Sequence, residues 1–167
     1  TWGLLSQIQT SRISAVGVAS GAVAGLVAIT PASGFVGVMG AIGVGFGAGV
    51  LCYGAVWLRT KTNLDDALEV FAIHGVGGIW GALATGLFAV EVIGGTAGAF
   101  EGNWGQMVTQ IVAVAATIGY SFIVTVVILK VLDLIPGLGL RAEEAEEDQG
   151  LDVSYHGERA FVGDGAN

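Results

Sequence analysis

The sequence has little charge and almost no cysteine. Only 12% of its 167 residues are charged, about half the share that is usual in a soluble domain. That shortage excludes a water-soluble enzyme, a disordered acidic protein and a nucleic-acid-binding protein. Cys52 is the single cysteine, so an internal disulfide and a metal site built from cysteines are excluded as well.

Apolar residues and glycine are abundant instead. Hydrophobic residues make up 53% of the chain, glycines number 29, and the mean hydropathy is +0.76. These values indicate a membrane protein or a piece of one. The chain begins at Thr1 without an initiator methionine, and we interpret it as a fragment of a longer protein.

The negative charge is concentrated near the C-terminus. Of the net charge of −8, residues 141–167 contribute −6 through eight acids and two arginines, which leaves −2 for the rest of the chain. The acidity therefore belongs to a tail and is not a property of the apolar body.

Four stretches have the length and apolarity, or nearly so, of membrane-spanning helices, which need about 20 apolar residues. They comprise residues 13–30, 36–57, 70–90 and 107–129, and the first is the shortest. A Pro-Ala-Ser-Gly turn signal at residues 31–34 separates the first pair. The sequence thus predicts transmembrane helices within residues 1–135 and an acidic tail over residues 136–167.

The basic residues predict the orientation of these helices, because short loops rich in lysine and arginine stay on the cytoplasmic side. With four spans, all six basic residues lie on one side of the membrane: Arg12, Arg59, Lys61, Lys130, Arg141 and Arg159. The two opposite loops contain none. We therefore expect the N-terminal stub, the loop after Arg59 and the C-terminal tail to be cytoplasmic.

Glycines four residues apart recur in three of the predicted helices. Such spacing lets helix backbones approach each other closely in lipid, where van der Waals packing drives association. It predicts a tightly packed bundle, although channels, transporters and inert scaffolds share the feature. The pairs are Gly21 and Gly25, Gly43 and Gly47, Gly45 and Gly49, and Gly77 and Gly81.

His74 is an ionisable residue within the third apolar stretch. If the helix starts near Asp66, the imidazole lies roughly 12 Å deep, close to the middle of the bilayer. An ionisable side chain there is costly and favours a place on an ion or substrate path. The alternative is a neutral imidazole that only packs against a neighbouring helix.

A neutral imidazole offers one donor and one acceptor, so it suits an amine, and it can carry a proton between steps. A metal site is disfavoured because the other histidine, His156, lies in the tail. Helical periodicity places Val70, Gly78 and Gly81 on the same face as His74, which predicts a narrow apolar passage beside the ring. We expect no cofactor.

Three acids precede this helix, and Trp80 follows the histidine. Asp65, Asp66 and Glu69 stand where negative charge favours the N-terminal end of a helix, so we expect them to serve mainly as caps. Periodicity puts Trp80 on the far side of the helix from His74, which indicates packing.

Several motifs together resemble the ammonium transporters of the Amt/Mep/Rh family, and the tail suggests the Amt branch. Asp65-Asp66 followed by FAIHGVGGIWG at residues 71–81 resembles the tenth helix of that family. The segment SGAVAGLVAITPASG at residues 20–34 is similar to its eighth helix. Residues 137–141 and 150–158 resemble its cytoplasmic tail.

The resemblance implies an all-α membrane protein, a polytopic helix bundle of which this chain supplies helices eight to eleven of eleven. It implies a homotrimer with one pore per subunit, in the cytoplasmic membrane with the C-terminus inside. By the same resemblance, His74 is the second of two pore histidines, Val70 lines the pore below it, and Thr30 sits near the pore wall. Glu69 and Asp66 would belong to the cytoplasmic exit.

The implied activity is ammonium transport and not catalysis. Ammonium would lose its proton and cross an apolar passage as ammonia, with the paired imidazoles supplying hydrogen bonds and a route for the proton. The alternatives are an Amt-like sensor whose tail signals ammonium occupancy to a partner, and a structural bundle with a packing histidine. The first histidine, the outer recruitment site and the gate belong to earlier helices of the family and have no counterpart here.

The tail has two interpretations. The acidic run at residues 143–148 favours a solvated, disordered segment. In the family the tail instead docks beneath the trimer and binds P-II-type nitrogen signalling proteins. The resemblance gives a regulatory role to Arg141, Gly150, Asp152 and Ser154, and Ser154 occupies a place where some relatives carry a phosphorylatable threonine.

Overall fold

The computed structural model describes residues 1–135 and 138–158, and these residues are mainly helical. Within these ranges no strand forms, and an isolated antiparallel bridge joins Val36 to Ala89. The helices are α1 (Trp2–Thr10), α2 (Ala15–Ile29), α3 (Val38–Arg59), a π-turn (Phe71–Gly75), α4 (Val76–Phe88), α5 (Glu91–Gly94), a 3-10 turn (Ala99–Glu101), α6 (Trp104–Asp133), α7 (Glu144–Gln149) and α8 (Leu151–His156). Residues 1–117 and 118–167 form two compact units, which are described separately below.

Three helical segments have the length and apolarity of membrane spans. They are α3 with 22 residues, the π-turn and α4 together with 18, and α6 with 30. Helix α2 has only 15 residues, about 22 Å at 1.5 Å per residue, and does not continue past Pro31. The stretch predicted as the first span thus contains a shorter apolar helix that ends at Ile29, followed by a turn.

The first unit is built on the mutual packing of α2, α3 and α4. Its larger core consists of small, fully buried residues: Ala28, Ala32, Val44, Ala48 and Ala84. Large apolar side chains lie mostly on the outside of the unit, and no residue of α6 is buried. A helix that is apolar all round is stable in a lipid environment, because lipid replaces the core that a soluble helix would need.

Two glycines allow the closest helix contacts of the bundle. A β-carbon on Gly81 would lie 2.1 Å from the Ala28 carbonyl oxygen, so α2 and α4 meet backbone to backbone. A β-carbon on Gly47 would lie 2.3 Å from the Trp80 ring, and the Trp80 indole N–H donates to the Val44 carbonyl at 2.9 Å. The interpretation of Trp80 as a packing residue therefore agrees with its position.

Helix α1 is a feature that the sequence did not reveal. Trp2 is 7% exposed and packs edge to face on Tyr53 of α3, with ring centroids 5.4 Å apart. It shares a second core cluster with Ala24, Cys52 and Ile73. The N-terminal stub is therefore part of the bundle and not a loose leader to α2.

Candidate functional site

His74 lies in the π-turn that precedes α4. The turn begins after Asp66, whose carboxylate accepts from the backbone N–H groups of Val70 at 2.7 Å and Phe71 at 2.9 Å. The Asp66 carboxylate, four residues before the N-cap residue Val70, therefore caps free N–H groups at the start of the helix, as expected for an acid that precedes it. At the other end, the Val76 N–H reaches the Phe71 carbonyl, five residues back, which widens the turn.

The π-turn divides its residues between two environments. Ala72 and Ile73 are buried, at 1% and 6% exposure, against α2 and α3, whereas His74 is exposed. Val70 and Phe71, with 51% and 62% exposure, are its apolar neighbours along the chain. Among residues 1–135 and 138–158 no hydrogen-bond partner contacts the His74 imidazole.

Thr30 lies at the C-terminal end of α2. Its hydroxyl donates to the Leu26 carbonyl at 2.8 Å and so closes the last turn of α2. The next residue, Pro31, packs on Gly81, seven residues beyond His74 and roughly 10 Å along the helix. Thr30 is exposed, and no hydrogen bond joins it to His74.

The two glycines predicted beside the imidazole differ from each other. Gly78 has no atom within 4 Å of the position of a β-carbon, which fits an open apolar surface next to His74. Gly81 instead receives the backbone of α2. The expectation that Gly81 borders an open passage is therefore wrong, because helix packing fills that space.

Glu69 makes a contact that differs from the cap predicted for it. It has a left-handed backbone, with φ of +57°, and its carboxylate forms a two-pronged ion pair with Arg59 at the end of α3. The Arg59 Nε–H donates to Glu69 Oε2 at 3.0 Å, and Nη2 bonds Oε1. The two side chains are only 24% and 21% exposed. Glu69 is thus an ion-pair partner, whereas Asp66 makes the cap.

The chemistry beside α4 is that of an imidazole on an apolar surface. In the part of the chain that the structure describes, no group of three His, Cys, Asp or Glu side chains is placed to hold a metal ion. Cys52 is buried, and its thiol lies 3.8 Å from the Ile73 carbonyl oxygen. These residues can offer hydrogen bonds to a small ligand, with the imidazole as both donor and acceptor.

In the second unit, α7 and α8 form a short hairpin around Gly150. Gly150 has φ of +97°, and its N–H donates to the carbonyls of Glu146 at 3.1 Å and Glu147 at 3.2 Å. The Ser154 hydroxyl donates to the Gly150 carbonyl at 2.8 Å and lies 3.2 Å from the Glu146 carbonyl. The hairpin therefore brings Gly150 and Ser154 together.

The acidic run is helical, contrary to the expectation of disorder. Helix α7 begins with a capping box between Glu143 and Glu146, and negative charge there interacts favourably with the helix dipole. Arg141 pairs with Glu147 at 3.2 Å, although both side chains are exposed. The Asp152 carbonyl accepts from the Glu158 N–H at 3.0 Å, after α8. Residues 136–137 and 159–167 of the predicted tail lie outside the described residues.

Comparison with known proteins identifies relatives along almost the whole chain. The model of the Ammonium Transporter Family matches residues 1–161. The ammonium transporter of Aquifex aeolicus is 50% identical over 161 residues, which are 96% of this chain and 37% of that protein. The ammonium transporter of Bacillus subtilis is 47% identical over 163 residues, 96% of this chain and 40% of that protein.

The fold is also similar to that of a solved ammonium transporter structure. The crystal structure of Saccharomyces cerevisiae Mep2 superposes with a TM-score of 0.80 at 32% identity, and the match covers 86% of this chain and 34% of Mep2. The chain therefore spans 40% or less of the length of these three relatives.

These matches confirm the resemblance and the expected fold class. The relatives are named as transporters, in agreement with the expectation that the chain is not an enzyme. The similarity to Mep2 and the apolar helices identify an all-α, multi-pass membrane protein. The chain belongs to the ammonium transporter family.

Proposed function

We propose that this chain is the C-terminal part of a protein that conducts ammonium across the cytoplasmic membrane. The relatives that support this proposal are ammonium transporters, and this chain matches about two-fifths of their length. In this proposal the loop after Arg59 and the C-terminal tail face the cytoplasm. The distribution of the six basic residues supports that orientation.

The observation that carries the proposal is the state of the His74 imidazole. It is exposed on an apolar surface, without a hydrogen-bond partner among the described residues, whereas Ile73 beside it is buried. A polar ring on an apolar surface within the membrane is costly unless a ligand or a helix outside this chain bonds it. Together with the match to ammonium transporters, this position supports a histidine that serves the transported ligand, with Val70 lining the same passage.

The apolar surroundings of His74 suit ammonia better than ammonium. A bare cation in a passage of low polarity loses its hydration, whereas a neutral amine avoids most of that cost. We propose that ammonium gives up its proton before it passes His74 and that the imidazole bonds the amine. Potassium cannot shed its charge and would be rejected for that reason.

We further propose that the protein is a homotrimer and that the α7–α8 hairpin is a regulatory element. P-II-type signalling proteins are the proposed partners of the cytoplasmic face. Ser154 is the proposed modification site, because a phosphate on its hydroxyl would remove the donor that bonds the Gly150 carbonyl.

His74→Ala in the native-length protein tests the proposed transport. We expect ammonium flux to fall by about ten-fold or more, or potassium to be admitted, at equal amounts of assembled protein. Currents in cells or uptake into proteoliposomes would measure both ions. Because His156 is the other histidine of this chain and lies in α8, outside the proposed passage, His156→Ala is the matched control, and we expect it to leave potassium rejection unchanged. Unchanged flux and unchanged potassium rejection in His74→Ala would sink the proposal.

A further inference from the structure

We propose that Arg59 and Glu69 form a clamp that positions the π-turn and thereby aims the His74 imidazole. The role of this clamp rests on the proposed function, because a positioned imidazole matters only if it meets the transported amine. Arg59 and Glu69 are positioning residues in this proposal and do not touch the amine themselves.

The first observation is the quality of the ion pair. Two donors of the Arg59 guanidinium bond both carboxylate oxygens of Glu69. Such a fork-to-fork arrangement fixes the direction of both side chains as well as their distance. Both side chains are more than three-quarters covered, so water competes little for these bonds.

The second observation is the backbone of Glu69. At φ of +57° it lies in the left-handed region, which a residue with a β-carbon seldom adopts. Asn, Asp and Gly enter that region more readily than Glu, so the residue type does not explain the conformation. The ion pair supplies an interaction that holds Glu69 there, since the side chain must point back to the end of α3.

The third observation links Glu69 to His74 through the backbone. The Glu69 carbonyl accepts from the Ile73 N–H at 2.8 Å, and the next residue is His74. On the other side of Ile73, its carbonyl lies 3.8 Å from the Cys52 thiol of α3. Helix α3 therefore touches the segment before the imidazole at two points, one at Arg59 and one at Cys52.

The competing explanation is a staple that only stabilises the loop after α3. The two explanations differ in what they predict for His74. A staple affects how much folded protein is present, whereas a clamp changes how the imidazole is presented in each folded molecule.

The test uses Glu69→Gln, Arg59→Lys and the exchanged pair Arg59→Glu with Glu69→Arg in the native-length protein. Glu69→Gln keeps the shape of the side chain and removes its charge. Arg59→Lys keeps the positive charge and removes the two-donor geometry of the guanidinium. Lys61→Gln and Lys130→Gln are the matched controls, because these exposed basic residues take part in no ion pair among the described residues.

Three quantities are measured: the amount of assembled protein, ammonium flux per molecule, and the rate at which diethyl pyrocarbonate modifies His74. Peptide mass spectrometry gives the modification rate, and His156 serves as the internal reference. We expect Glu69→Gln and Arg59→Lys to lower flux per molecule by about ten-fold and to change the His74 rate relative to His156. The exchanged pair should restore part of both, and the controls should leave both unchanged.

The outcomes separate this inference from the proposed function. If Glu69→Gln and Arg59→Lys change only the amount of protein, with flux per molecule and the His74 rate unchanged, the clamp is overturned while transport stands. If the unaltered protein carries no ammonium, the proposed function fails. In that case, a changed His74 rate in the variants would still support a positioned imidazole.

Discussion

The α2–α4 bundle and the α7–α8 hairpin are held together in opposite ways. The bundle depends on glycines, which have no side chain: the backbone of α2 packs on Gly81, and the ring of Trp80 packs on Gly47. The hairpin depends on polar groups that bond a few carbonyls around Gly150. The bundle helices rely on close packing because lipid contains no water to drive apolar groups together. The α7–α8 hairpin buries little area, so its conformation depends on hydrogen bonds.

The two arginine-glutamate pairs show the same contrast. The side chains of Arg59 and Glu69 are 24% and 21% exposed and joined by two bonds, whereas those of Arg141 and Glu147 are 78% and 40% exposed and joined by one. An exposed, singly bonded pair contributes little to stability. The same two residue types therefore form a pair that contributes more to stability in the first unit than in the second.

The largest effect is expected where the bundle has no room. Gly81→Ala places a methyl group 2.1 Å from the Ala28 carbonyl oxygen, so α2 must move. We expect a loss of roughly 1 to 3 kcal/mol in the free energy of unfolding, measured by denaturant titration in detergent. Gly78→Ala on the same helix meets nothing within 4 Å and should be neutral or gain roughly 0.5 to 1 kcal/mol. Equal effects of the two variants would show that the close contact at Gly81 does not determine the packing of α2 on α4.

A smaller, local effect is expected in the hairpin. Ser154→Asp replaces a donor by a carboxylate, which cannot donate to the Gly150 carbonyl and adds charge near the acids of α7. We expect faster hydrogen exchange of the α8 amides, with Ser154→Ala showing a weaker effect from loss of the hydroxyl alone. Unchanged exchange would show that the hydroxyl does not hold the hairpin, and unchanged ammonium flux in Ser154→Asp would end the proposal of regulation at this residue.

The smallest effect concerns Tyr155. Its hydroxyl donates to the Glu146 carboxylate at 3.0 Å, and this bond raises the pKa of Tyr155 above its ordinary value of about 10. Because the folded-state pKa is the higher one, the bond contributes stability below about pH 10, and the contribution is lost as the pH rises through the folded-state pKa. The tyrosinate absorbance difference between the unaltered protein and Tyr155→Phe measures this titration. Glu146→Gln should move its midpoint down, and an unmoved midpoint would contradict the role of Glu146.

The apolar helices were predictable because their signal is local in the sequence. Runs of apolar residues located α3, α4 and α6, with ends displaced by a few residues. Helix α1 was missed because it has nine residues and mixes Trp2 and Leu4 with Ser6, Gln7 and Gln9. Its burial depends on Tyr53 in α3, and no local pattern of residues records that contact.

The candidate site was predictable only in part, for the same reason. An isolated histidine in an apolar run identifies His74, and an acid before a helix predicts the cap made by Asp66. The π-turn has no recognised sequence period. The left-handed backbone of Glu69 and its bond to Arg59 depend on how the chain returns from α3, ten residues earlier. An acid that follows an arginine after a short polar loop was the available signal, and helix capping accounted for it equally well.

The π-turn makes this part of the chain sensitive to its length as well as to its composition. A π-turn contains one residue more than an α-helical turn, so the segment that carries the imidazole has one extra residue. If one residue were deleted from the loop after α3, the turn could rewind to an α-helix and keep the chain connected. The residues before the turn would then be rotated by about 100° about the helix axis relative to those after it. The number of residues between Arg59 and His74 thus determines the direction of the imidazole, and insertions or deletions there would redirect it even with every side chain retained.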